Sequence, residues 1–388
     1  MHDFNSNKRK TRPLRVFMVS YLYDPAVRAG MGGFQKVLEL AAQFGRRHKV
    51  TVFAPSYSRR HTEIDCVWVP VIDKPLLRLI SFNLLLIPAM LYRCARGRPH
   101  IIYERIFNAL APPLLAWLLG ARLVIEFNGN PLQFYRTDRK PRGKWVKRVV
   151  SWNLRRADRI VALTEGLKSE IRSDFNADTG QTFVAPSGSN SSIFYPHARA
   201  ECRRELGISE NVRLAVFTGT FFAYQGIDTL LEALADPRLY SLETWLAGEG
   251  RMRAAWEARA AALGLTKVRF TGQIEYHQVP VMLGAADFCL APFDPDRGEV
   301  SPLKVIDYLF CARPTVISDI PPVQNLIRQF PSLLSFQAGN PQALANTIHL
   351  MLERIGHYTQ LAALDSQKAR AEFSWEQIAL KIEEHSFT

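Results

Sequence analysis

The stretch "DRGEVSPLKVIDYLF" carries the side chains best placed to do chemistry, with Glu299, Lys304 and Asp307 inside nine residues. Ser301 and Pro302 predict a helix start there, one as N-cap and the other as first helical residue. Lys304 and Asp307, three apart, then share a helix face. A cation near the positive end of that helix suits a phosphate, and a carboxylate one turn further on can accept both hydroxyls of a ribose. A solvent-facing Lys–Asp pair is the plainer alternative. It suits Glu299 less well, because that acid follows the apolar run "FCLAPF", where a cleft is expected.

A second stretch, "FTGTFFAYQGIDTLLEAL", runs a strand into Gly219, crosses an uncharged loop holding Thr220 and Gln225, and enters a helix at Gly226. Glycines at both ends let the backbone approach a ligand, and the helix start offers free N–H groups. The loop matches neither GxGxxG nor GxxxxGK[ST]. Its phosphate, if it holds one, needs a cation from elsewhere, and Lys304 is the candidate.

The elements that must position these residues alternate. "RVFMVSYLY", "KVTVFAP", "IIYERI", "RLVIEFN", "RIVALT" and "QTFVAPSG" read as strands between amphipathic helices, and the plan restarts with "RLAVFTG", "SLETWLAG", "KVRFTG", "FCLAPF", "PTVISD" and "SLLSFQAG". Short continuous apolar runs predict parallel sheets covered on both faces, hence an α/β chain of two doubly wound domains. The units expected are residues 1–195 and 196–371, with a final helix in 372–388 crossing back to the first. The cleft between them is the expected active site.

The 388 residues carry 49 Lys and Arg against 36 Asp and Glu, a formal charge of +13 that attracts anions. Nucleic acid, an anionic membrane face and phosphorylated substrates all qualify. The basic run Arg136–Arg156 mixes bases with aromatics that read as core contacts or as base-stacking platforms. "LLRLISFNLLLIPAMLY", Leu76 to Tyr92, falls short of a clean span and reads as a buried or interface-facing helix pair. No signal peptide is read at the start, and the five cysteines form no CxxC and are expected to be reduced. Histidines are scattered without ligand spacing, so neither metal nor cofactor is expected. "DPD" at 294–296 lies in the wrong place for a metal motif, and GxSxG is absent.

The chain resembles the GT-B glycosyltransferases of the large retaining family 4. The likeness rests on "GGFQKVLELAAQFGRRHKVTVFAP", "ADRIVALTEGLKSEI", "VAPSGSNSSIFYP", "VFTGTFFAYQGIDTLLEAL" and "LAGEGRMRAAWEARAAALGLTKVRFTGQIEYHQVPVMLGAADFCLAPF", in that order. It implies transfer from a nucleotide-diphosphate sugar held by the C-terminal domain to a saccharide or lipid-linked acceptor against the N-terminal one, in bacterial surface polysaccharide or glycolipid synthesis. Gly32 and Gly33 match the glycine-rich loop near the sugar diphosphate. Glu299 matches the acid on the transferred sugar and Asp307 the acid on the ribose. Thr220 and Gln225 stand where many members have Arg and Lys; Ser301, Leu303 and Lys304 form the "SPLK" helix start. Thr271 and Gly272, Gln273 and Ile274 are expected beside the base. Asn128 replaces a common histidine, and an amide orients a hydroxyl but takes no proton near neutral pH. Glu104, Arg105 and Glu126 are expected around the acceptor, the first two alternatively as a structural ion pair. The implied location is cytoplasmic or peripheral on the inner membrane face, with nucleic acid excluded as a partner. A non-catalytic sugar- or nucleotide-binding module and a nucleic-acid-binding protein are the competing readings.

Overall fold

The computed structural model describes residues 12–21, 31–74, 77–105, 109–132, 142–177, 180–298 and 301–388. Among the described residues thirteen strands form two sheets, and each registered pair is parallel. The first sheet contains β1 (Arg15–Ser20), β2 (Lys49–Pro55), β3 (Cys66–Val69), β4 (Ile101–Arg105), β5 (Arg122–Phe127), β6 (Arg159–Ala162) and β7 (Thr182–Val184), in spatial order 3-2-1-4-5-6-7. The second contains β8 (Leu214–Thr218), β9 (Glu243–Ala247), β10 (Val268–Gly272), β11 (Phe288–Ala291), β12 (Thr315–Asp319) and β13 (Leu333–Gln337), in order 10-9-8-11-12-13.

Strands this apolar must be covered on both faces, and they are. One face of the first sheet packs Phe17, Ile102 and Ile125 against the helices Leu77–Cys94, Ala111–Leu119, Arg142–Arg156 and Glu165–Phe175. The other packs Val16, Met18 and Val124 against helix Met31–Gly45 and, from the far end of the chain, Trp375, Ile378, Ala379 and Ile382 of helix Trp375–Ser386. Arg47 fixes that last helix with a two-pronged bond to Glu383, at 2.7 and 2.9 Å.

The chain passes between the sheets twice. Ser189 and Ser374, one from each passage, form a parallel β-bridge. The Ser189 N–H donates to Phe373 O at 2.9 Å, and the Trp375 N–H donates to Ser189 O at 3.1 Å.

Three local expectations need correction. The segment around Leu76–Tyr92 is one helix, Leu77–Cys94, with Pro88 inside it; it is not a pair. The helix carrying Lys304 starts at Leu303, with Pro302 in the cap position and no side-chain cap, because Ser301 is buried and uses its carbonyl to accept from the Leu303 N–H. Trp145 in the basic run is 54% exposed, so it is not a core contact.

Candidate functional site

Both sheets reverse strand order once, between β1 and β4 and between β8 and β11. Chain leaving the carboxyl ends on either side of a reversal diverges and opens a crevice. Arg105 ends β4, and Gly219 follows β8. The loop Pro292–Gly298 follows β11.

In the second crevice, Gly226 adopts φ +69°, and a Cβ there would lie 1.8 Å from Pro292 O. Only glycine lets the uncharged loop approach the β11 loop this closely. Gly219 makes similar room: a Cβ on it would meet Lys304 Nζ at 2.6 Å. The Lys304 ammonium donates to Gln225 Oε1 at 2.8 Å and lies 3.6 Å from the centroid of the Phe217 ring. Lys304 makes no pair with Asp307. Burial, then the charge of Arg297, push its pKa well down.

Arg297 was not singled out in the sequence. Its guanidinium carbon sits 3.8 Å from the centroid of Phe293, a ring that also faces Lys304 Nζ at 5.5 Å. Its Nε and Nη1 are buried without a hydrogen-bond partner among the described residues. Burial lowers its pKa to about 10. Two cations held on one aromatic ring, one with unused donors, form a place for a strongly charged anion.

Asp307, one turn along the same helix, accepts from the Ser189 hydroxyl at 2.6 Å. Burial raises its pKa to about 7, against the opposing pull of Ser189 and Lys36. Gly272 ends β10 with φ +77° and accepts from the Gly248 N–H at 2.8 Å; Gln273 is exposed and Ile274 half-buried. Thr220 and Leu303 are half-buried. Asp294 caps its own turn, accepting from the Asp296 N–H at 2.9 Å. Among the described residues no three of His, Cys, Asp and Glu gather as metal ligands. Glu299 lies outside the described residues.

Across the cleft Arg105 organises the first crevice. It donates to Gly33 O at 2.9 Å, pairs with Glu126 at 3.6 Å and, with the Asn128 amide turned oxygen-inward, donates to it from Nε at 2.6 Å and Nη2 at 2.8 Å. Tyr103 OH donates to the other Glu126 oxygen at 2.9 Å. Gly32 and Gly33 lie in the first turn of helix Met31–Gly45. Tyr103 and Arg105 share a strand face, so Glu104 points the opposite way, with Ile102, and is fully buried. The cavity beneath, about 10 Å³, is lined by Lys36, Tyr103, Arg105, Glu126, Ser187 and Trp375. It has room for about one water.

Residues from the first domain reach toward Asp307. Lys36 donates to Ser187 Oγ at 3.1 Å, and its pKa is driven well down by burial and then by Arg105, with Asp307 pulling the other way. Glu39 accepts from Asn190 Nδ2 at 2.8 Å. These contacts bring helix Met31–Gly45, the first crossing segment and the Asp307 helix to one place.

Known proteins share this fold. The family described as Glycosyltransferase Family 4 matches residues 32–192, and Glycosyl transferases group 1 matches residues 198–363. A D-inositol 3-phosphate glycosyltransferase of Geodermatophilus obscurus is 27% identical over 232 residues, covering 57% of this chain and 50% of that protein. The Bacillus subtilis protein named "Putative teichuronic acid biosynthesis glycosyltransferase TuaC" is 27% identical over 227 residues, covering 58% and 54%. The chain spans about half the length of these curated relatives. Sucrose-phosphate synthase from Thermosynechococcus elongatus superposes with a TM-score of 0.79 at 20% identity, over 96% of this chain and 98% of that one. Anabaena HepE in complex with UDP and glucose gives 0.74 at 16%, over 96% and 98%. With two parallel-sheet domains facing a cleft and both halves matched, the chain belongs to the GT-B glycosyltransferases of the family 4 and group 1 type.

Proposed function

We propose that the chain moves a sugar, with retention and without a metal ion, from a nucleotide-diphosphate sugar to a saccharide or lipid-linked acceptor. The setting is bacterial surface polysaccharide or glycolipid synthesis, on the cytoplasmic side of the membrane. Residues 196–371 hold the donor, and residues 1–195 with the returning helix hold the acceptor.

The observation that carries this is the pair of cations, Lys304 and Arg297, on the Phe293 ring beside Gly219. They stand where the uncharged Thr220 and Gln225 leave a diphosphate unneutralised. In a front-face transfer the bond from the anomeric carbon to the diphosphate oxygen breaks while the acceptor oxygen bonds the same face. The acceptor proton passes to the departing phosphate oxygen. No protein base is required, which accords with an amide at Asn128. Lys304, Arg297 and the N–H groups of the helix start after Gly226 stabilise the leaving charge, Asp307 takes the ribose hydroxyls, and Glu299 holds the transferred sugar. Thr271, Gly272, Gln273 and Ile274 flank the base, while Gly33, fixed by Arg105, borders the acceptor.

Thermal shifts with uridine, guanosine and adenosine diphosphate sugars test the donor half. The uridine series comes first because HepE was crystallised with UDP and with UDP-glucose. A donor that raises the melting temperature is then supplied with acceptor extracts, and the product anomer is read by NMR. Failure of every nucleotide sugar to shift the melt would sink the reading, and an inverted product would sink its retaining part.

A further inference from the structure

Helix Leu77–Cys94 turns only part of its surface inward. Phe82, Leu86 and Met90 are fully buried in the first domain's core, whereas Leu84 is 63% exposed and Tyr92 76%. The next helix, Ala111–Leu119, contains no charged residue and exposes Leu114, Trp117 at 73% and Leu118 at 58%. The Asn83 side-chain oxygen joins the two, accepting from the Leu110 and Ala111 N–H groups at 3.2 and 3.3 Å. Asn153 joins the third helix, Arg142–Arg156, by donating to Ala109 O at 2.6 Å. That helix, "RGKWVKRVVSWNLRR", has no acid. Its outer side is an open groove of about 750 Å³ lined by Lys144, Lys147, Arg148, Trp152, Arg155 and Arg156. One connected surface thus carries a protruding apolar ridge beside a stripe of cations.

We infer that this face seats the protein on an anionic lipid bilayer, with Leu84, Leu114, Trp117 and Leu118 in the headgroup–acyl boundary and the basic helix on the lipid phosphates. Exposed Leu with Trp and Tyr, flanked by Lys and Arg, is the chemistry of an interfacial surface. A nucleic acid would match the cations and leave the ridge in water. A second copy docked by two-fold symmetry on the same patch would set basic helix near basic helix. Spanning by helix Leu77–Cys94 would expel Phe82, Leu86 and Met90 from the core, so the helix lies along the surface. Only six residue steps lead from Arg105 in the cleft to Ala111 at the start of the ridge helix, a reach of at most roughly 20 Å. A lipid-linked acceptor anchored beneath the ridge is therefore close to the cleft. That last step rests on the glycosyltransferase reading, and the surface itself does not.

Flotation of the whole chain with vesicles of phosphatidylcholine alone, or with about a third phosphatidylglycerol, tests the surface without donor or acceptor. Binding is expected only to the anionic vesicles, weakening at least tenfold as salt rises from about 0.05 to 0.5 M. Leu114→Glu/Trp117→Glu and Lys147→Glu/Arg148→Glu should each lower partitioning at least tenfold while leaving melting temperature and nucleoside diphosphate affinity unchanged. Equal flotation with both vesicle types, no flotation, or binding untouched by either double variant would overturn the inference. So would a dimer in solution that Leu114→Glu/Trp117→Glu dissociates. Unchanged nucleoside diphosphate binding in the same preparations separates failure of this surface from failure of the donor site.

Discussion

Ser189 gives its hydroxyl hydrogen to Asp307 Oδ1 across 2.6 Å, so the segment that carries the chain out of the first domain ends on the acid expected to read the ribose. Asp307 is also held near pKa 7 by burial. The proposed ribose contact and protonation therefore fall on one carboxyl.

Ribose hydroxyls donate to the ionised form, so binding should favour loss of the Asp307 proton. From pH 8 to pH 6, nucleoside diphosphate affinity should fall about tenfold more in the wild type than in Asp307→Asn, measured by titration calorimetry. The sign in the unliganded protein is opposite. A folded pKa raised from 3.8 to about 7 makes a contribution that is present below pH 4 and lost as pH rises through 7. Melting of Asp307→Asn should therefore gain on wild type from pH 4 to pH 8.

Lys304→Met and Arg297→Met should each weaken nucleoside diphosphate binding by roughly ten- to a hundredfold, the scale of a charge-assisted bond. Neither should destabilise the empty protein, because burial already disfavours both cations. Calorimetry with a parallel melt checks this. Unchanged affinity in Arg297→Met would return that side chain to a packing role.

Gly226→Ala must fail by another route. At φ +69°, with a Cβ 1.8 Å from Pro292 O, the loop has to move away from the β11 loop. A loss of about 2 kcal/mol or more in denaturant unfolding is expected, accompanied by weaker donor binding. Normal stability with weak binding would contradict it.

Arg105→Lys keeps the charge and loses the planar fork that reaches Gly33, Glu126 and Asn128 together. Transfer kinetics should show kcat falling about tenfold or more and the acceptor KM rising, with nucleoside diphosphate affinity unchanged. An equal loss of donor affinity would mean that Arg105 belongs to the donor site.

The parallel sheets were legible because buried strands are short apolar runs, and all six strands of the second sheet can be read that way. Cys66–Val69 escaped notice because an edge strand of four residues, mostly half-buried, has neither a long run nor a clear alternation. Arg297 was hidden because nothing in "DPDRG" marks a buried cation, and only the fold lays the guanidinium on Phe293. Lys36, Ser187 and Ser189 sit inside stretches that carry the family likeness, but their contacts come only from two domains brought together. Glu104 lies buried on the face of β4 opposite Arg105, as alternation along a strand dictates.

The bridge between Ser189 and Ser374 limits how the molecule can breathe. Two chain passages bonded side by side at 2.9 and 3.1 Å act as a single ribbon and cannot slide or lengthen independently. Relative movement of the domains should therefore bend both passages together. Because Ser189 is on that ribbon and also holds Asp307, such a bend would carry the acid with it.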